Sequence, residues 1–190
     1  MLAACVAWAP AGAQEGWKAV EAVQTYSVAG MSGPELYASI GERGPKAGIA
    51  RVIAQTTFKL TWSRTYEKRE GACVLVSAVP KLVITTTLPK PSQRLPPAIA
   101  ENWKAFIAGV RAHERVHGEH IEDLVREIEL ATVGLTVAAD PECRKIKDEM
   151  NGRLSRLSLA QRERSRAFDR VEMRDGGNVH RLILNLVNGG

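Results

Sequence analysis

The residues with the clearest chemical potential are His113, Glu114 and His117, which spell H-E-x-x-H across His113-Glu114-Arg115-Val116-His117. On an α-helix, positions i and i+4 share a face, so the two imidazoles can hold one Zn2+ between them. Glu114, next to the first histidine, is then placed to take a proton from a water that the ion activates. The chemistry implied is metal-assisted hydrolysis. It needs a third protein ligand and one open coordination position. Five residues do not make a site without the elements that position them.

Around the motif the apolar period is close to that of a helix. Phe106, Val110, His113, His117, Ile121, Leu124 and Ile128 fall on one stripe, which predicts a long helix ending near Thr132. Both histidines interrupt an apolar face and should point inward. Burying polar side chains without partners costs roughly 1–3 kcal/mol each, which favours a metal as the shared partner. Gly134 to Pro141 breaks the chain. A second helix is expected from near Glu142 to Gly176-Gly177, with Met150, Leu154, Leu157, Gln161, Phe168 and Glu172 on its inner stripe. A short break between two long helices predicts antiparallel packing. The second helix is therefore the natural donor of the third ligand, with Glu172 near the centre of its stripe and Asp169 on the flank. Glu163 points away, toward an arginine partner. His120 follows His117 too closely to be well aimed, and His180, beyond the glycines, could swing in.

The preceding half reads as strands and turns. Thr25 to Val28 opens it, Ala29 to Pro34 is turn-rich, Glu35 to Ile40 suggests a short helix, and Gly41 to Gly48 is a break. Thr57 to Ser63 alternates, placing Phe58, Leu60 and Trp62 on one face. Cys73 to Val79 and Lys81 to Leu88 are two β-branched runs with Pro80 and Pro89 at their ends, and residues 89–97 read as a linker. The expected fold class is α+β and zincin-like: a mostly antiparallel β portion over residues 20–90, then a long antiparallel helix pair over 97–176. A C-terminal segment follows at 177–190.

A length of 190 residues suits one buried core, read as a single domain over residues 14–190. The net charge of +5 collects late, in Arg153, Arg156, Arg162, Arg164, Arg166 and Arg170, without the interleaved aromatics of a nucleic-acid surface. These arginines read as a solvated helix face, and no nucleic-acid partner is expected. Leu2 to Ala9 is apolar and Ala11-Gly12-Ala13 is a small-x-small cleavage pattern, so residues 1–13 read as a signal peptide lacking its basic start. Leu2-Ala3-Ala4-Cys5 is similar to a lipoprotein processing box, although the apolar run continues past Cys5. No later segment approaches membrane-spanning length. With Cys5 removed, Cys73 and Cys143 form an even pair, expected as a disulfide in an oxidising compartment.

In order along the chain, Thr25 to Gly30, Gly44-Pro45, Thr61-Trp62, Cys73, Leu88-Pro89, His113 to His117, Cys143 and Phe168-Asp169 resemble the exported zinc-dependent protease family catalogued as domain of unknown function 922. The resemblance covers nearly the whole mature chain. It implies a periplasmic or secreted metallopeptidase acting on a peptide or protein substrate, potentially in the cell envelope. The late motif departs from the family pattern: Phe168 stands for a tyrosine, Glu172 for a threonine, and Arg174-Asp175 for histidine-glycine. Asp169 is thus the matching position and Glu172 the better-aimed one, and the third ligand stays open between them. By analogy with zinc peptidases, Lys81 to Leu88 is expected as the strand edge against which a peptide pairs. The competing expectation is a non-catalytic exported module with a structural or decayed metal site.

Overall fold

The structure, a computed structural model, describes residues 16–189, so the expected signal peptide and Cys5 lie outside the described residues. The fold is α+β. Strand β1 (Val20–Val28) leads to helix α1 (Gly33–Arg43), a small hairpin of β2 (Lys46–Ala47) and β3 (Ala50–Arg51), and then β4 (Gln55–Arg69) and β5 (Ala72–Pro91). Helix α2 (Pro97–Thr132), the short β6 (Thr136–Val137), α3 (Lys145–Met173) and α4 (Asn178–Asn188) follow.

Helix α1 is longer at both ends than its apolar stretch suggested, because its start is defined by capping. Ser32 accepts from the Glu35 amide, Glu35 returns the contact to the Ser32 amide, and Pro34 occupies the first turn. In β4 the expected alternation holds from Leu60 to Tyr66, with Leu60, Trp62, Arg64 and Tyr66 half-buried between exposed neighbours, while Phe58, expected on the same face, is exposed. The strand itself runs on to Arg69 past a register shift at Thr65 and Tyr66.

The two runs expected on either side of Pro80 are one 20-residue strand, β5, which also continues through Pro89. Both prolines lie where only one strand flanks β5. At Pro80 the neighbour is β4, opposite Trp62, and β1 begins only at Val83; at Pro89 the neighbour is β1, and β4 has already left at Thr87. A missing N–H is tolerable there, since one edge makes no ladder. Antiparallel pairing dominates through β4–β5 and β5–β6, but β1 joins β5 in parallel. The linker shrinks accordingly to residues 92–96.

Helix α2 is the spine. At 36 residues it runs about 54 Å, burying Ile121 and Val125 against Leu82 and Ile84 of the sheet, and Phe106 and Val110 against Val28, Leu36 and Leu88. It pairs with α3 in antiparallel fashion. Contacts climb α2 as they descend α3, from His117–Asp169 through His120–Ser165 to Glu127–Arg164 and Ala131–Arg153. The last segment, to which the sequence pattern assigns no element, is the amphipathic α4, which buries Val179 and Leu186. It presses so closely on α1 that a Cβ on Gly33 would meet the Leu186 carbonyl oxygen at 1.8 Å. No described helix is long and apolar enough to cross a membrane.

Cys73, at the start of β5, and Cys143, just before α3, form a disulfide across 70 residues. It lies in the cluster of Leu75, Ala78, Ile146 and Met150, pinning the N-terminus of α3 to the sheet. Replacing both cysteines by serine should lower stability by about 2–4 kcal/mol, mainly through the freed unfolded chain. A matching fall in the denaturation midpoint, absent when the wild type is pre-reduced, checks this.

Candidate metal centre

The regular pitch of α2 places His113 and His117 one turn apart, and the return of α3 brings Asp169 against both. The Nε2 atoms of the histidines are 3.1 Å apart, and Asp169 Oδ1 stands 3.2 Å from His113 Nε2 and 2.9 Å from His117 Nε2. Three donor atoms thus form a nearly equilateral triangle. With ligand bonds of about 2.0–2.1 Å, a tetrahedral zinc site has ligand–ligand edges of roughly 3.3 Å, so the triangle has the size of one tetrahedral face. Among the described residues, His113, His117 and Asp169 are the group of this kind that could hold a metal ion.

Phe168 roofs the pair, stacking on His113 with centroids 4.8 Å apart and meeting His117 edge-on. Two imidazole nitrogens and a carboxylate oxygen converging on one point can be held by hydrogen bonds to Asp169 in the protonated state, or by a shared cation when both Nε2 atoms are deprotonated.

The electrostatics of the chain without an ion follow the same geometry. Burial pushes the Asp169 carboxyl up, but the hydrogen bonds and charge of His113 and His117 prevail and hold it far below the ordinary carboxylate range. For His117, burial pulls its pKa down, yet the Asp169 hydrogen bond and the charges of Asp169 and Glu114 outweigh it, and the net shift is upward. His120 moves the other way, lowered by burial and by the neighbouring His117 and Arg164 charges. The raised His117 pKa contributes stability that is complete below about pH 6.5 and lost as pH climbs through the folded value. The depressed Asp169 contributes above about pH 3.9 and fails as pH drops through its own folded value.

Glu172 is near the site but on its other side. Its Oε2 is 3.7 Å from His113 Nδ1, an atom that is buried and has no hydrogen-bond partner, while its Oε1 accepts from Asn178. A histidine that gives Nε2 to a metal carries its proton on Nδ1, and Glu172 is the carboxylate within reach of it. The open choice of third ligand therefore divides by role: Asp169 joins the donor triangle, and Glu172 stands behind His113. Asp169 takes the corner because the α2–α3 contact near Phe168 turns the flank of the inner stripe, rather than its centre, toward the histidines.

Glu114 is 5% exposed and lines the same cleft. Thr56 of β4 donates to Glu114 Oε2 at 2.7 Å and lies 3.4 Å from the hydroxyl of Thr86, its partner across the ladder. The Thr56 contact had no sequence signal, since it precedes the alternating run and depends on β4 crossing α2. His120 faces Ser165 at 3.3 Å, and His180 accepts from the Gly176 amide at the α3–α4 corner, so neither joins the triangle. Glu163 pairs with Arg166 and Arg170 as expected.

The cleft holds about 810 Å³, with α2 as its floor, the segment 52–58 and the β2–β3 hairpin on one wall, and α3 on the other. The expected peptide edge at Lys81 to Leu88 is not available, because from Val83 to Thr87 β5 is paired with β1 on one side and β4 on the other. The outer strand beside the site is β4, whose first residues line the cleft.

A protein-family model described as bacterial protein of unknown function (DUF922) matches residues 23–177, a span that includes the whole donor triangle. No curated protein and no solved structure matches the chain.

Proposed function

The chain belongs to the DUF922 family, and from that premise we propose that it is an exported zinc-dependent metallopeptidase. The observation that carries this reading is the tetrahedral-face triangle of His113, His117 and Asp169 beside the buried Glu114. The donor chemistry fits zinc: two neutral imidazoles and one carboxylate, with no fourth His, Cys, Asp or Glu in the group among the described residues. When bound, the ion supplies a Lewis acid that acidifies water and polarises a peptide carbonyl. Glu114 removes the proton as the water oxygen bonds to the carbonyl carbon, then passes it to the amine that leaves when the C–N bond breaks. Thr56 holds Glu114 Oε2, leaving Oε1 to serve as the base. Phe168 limits water on one side of the histidine pair. An extended peptide can add to the outer edge of β4 at residues 55–58, in place of the β5 edge. Glutamate-dependent, chelator-sensitive cleavage of a peptide tests the proposal.

Proton competition sets the pH dependence of metal binding. The raised pKa of His117 means that the ion must displace a proton, so zinc affinity should rise with pH by up to about tenfold per unit below the folded value and level off above it. Competition titrations against a chromophoric chelator from about pH 6 to 8 would read the slope. A flat profile would contradict the ligand role of His117.

The Thr56 contact predicts a separable defect. Thr56→Val should lower kcat about tenfold with KM and zinc content nearly unchanged, and Thr56→Ser should restore most of the rate. Steady-state kinetics with zinc analysis on the two variants checks it.

A further inference from the structure

The cleft has two chemically different ends, and the donor triangle lies between them. Toward the N-terminal part of α2 the lining is apolar, with Val110, Val179, Met173, Val52 and Ile53 around it. Toward the C-terminal part, α3 presents Arg162 and Arg166. These are seven and three residues before Asp169, so they follow the same helix past the site at about 1.5 Å per residue. Arg164, between them, is committed to α2 through Glu127 and Asp123, and Arg170 to Glu163. Arg166 shares Glu163 at 3.3 Å, and Arg162 has no carboxylate within 4.0 Å among the described residues. The arginines expected to form one solvated face are thus divided. Some brace the fold, and two stand over the cleft.

We propose that the site takes an extended polypeptide carrying an acidic side chain on one side of the reacting bond and an apolar side chain on the other. This rests on the peptidase reading for its chemistry, but not for its binding. The acidic side chain meets Arg162 and Arg166, whose guanidinium forks suit a carboxylate. The apolar side chain enters the end lined by Val52, Ile53, Val110 and Met173, where burial of a leucine-sized group removes the most water-exposed apolar surface. Glu114 and Asp169 are the carboxylates lining the cleft, and the ion expected between the donors offsets their charge. The net field at the α3 end therefore favours an anion.

Two matched peptides test this, identical except for glutamate or lysine two residues from a central leucine, each made in both chain directions. In the zinc-loaded full chain, the glutamate peptide in one direction should be cleaved with kcat/KM about tenfold above its lysine counterpart. The double variant Arg162→Glu/Arg166→Glu should invert that order. Binding to the Glu114→Gln chain, read by fluorescence anisotropy, should show the same preference and lose it at high salt. Equal binding of the two peptides, or an unchanged preference in the double variant, overturns the proposal. Preferential binding of the glutamate peptide with no cleavage by the wild type would leave the inference standing and sink the peptidase reading instead.

Discussion

Glu114→Gln should bind one zinc ion with unchanged affinity and cleave peptides at least about a thousandfold more slowly than the wild type. General-base catalysis of this kind is worth roughly 10²–10⁴ in rate, and the amide keeps the size of the side chain while losing the proton acceptor. The fold should tolerate the change. Thr56 can still donate to the amide oxygen of residue 114, so the contact with β4 at 2.7 Å persists. Metal analysis and turnover measured on the same preparation separate the outcomes. Full zinc with residual activity above a tenth of wild type would sink the mechanism. Lost zinc would instead make Glu114 a structural support of the donor triangle.

Asp169→Ala and Glu172→Gln should part company just as sharply. Asp169 supplies one corner of the triangle, at 2.9 and 3.2 Å from the two histidine nitrogens. Without it, a two-histidine site is left, and stoichiometric zinc should be lost on dialysis together with activity. Glu172 sits 3.7 Å behind His113 Nδ1, so its amide variant should keep the ion but bind it about 10–100-fold more weakly. A chelator competition assay ranks the three proteins. The reverse order, with Glu172→Gln losing the ion and Asp169→Ala keeping it, would exchange the two roles.

The donor pair was legible because the α-helix has a fixed period: one stripe through Phe106, His113, His117 and Ile128 defines both the helix and its inward face. The cysteine pair and the antiparallel return of α3 were legible for similar reasons, each resting on parity or on the length of a break. What escaped depended on contacts between elements distant in sequence. Which of two acids faces the histidines is decided by how α3 rolls on α2, and a roll of a few tens of degrees exchanges Glu172 for Asp169. Thr56 reaches Glu114 only because the sheet packs on α2. β5 looked like two strands because proline marks an end only where both edges of a strand are paired, and flanking cannot be read from the strand's own residues. Helix α4 was missed because Gly176-Gly177 was read as a terminus, whereas it makes the corner that lays an amphipathic helix on α1 and α2.

The separation of the donors along the chain also bears on when and where the ion is acquired. The histidines are complete once residue 117 has been made, but the carboxylate comes 52 residues later on a different helix. A nascent chain lacking α3 therefore has no complete ligand set, however long α2 has been folded. On the proposed reading of an exported zinc protein, loading would wait for the compartment in which the helical hairpin finally closes, and the free metal there would set which ion the site takes.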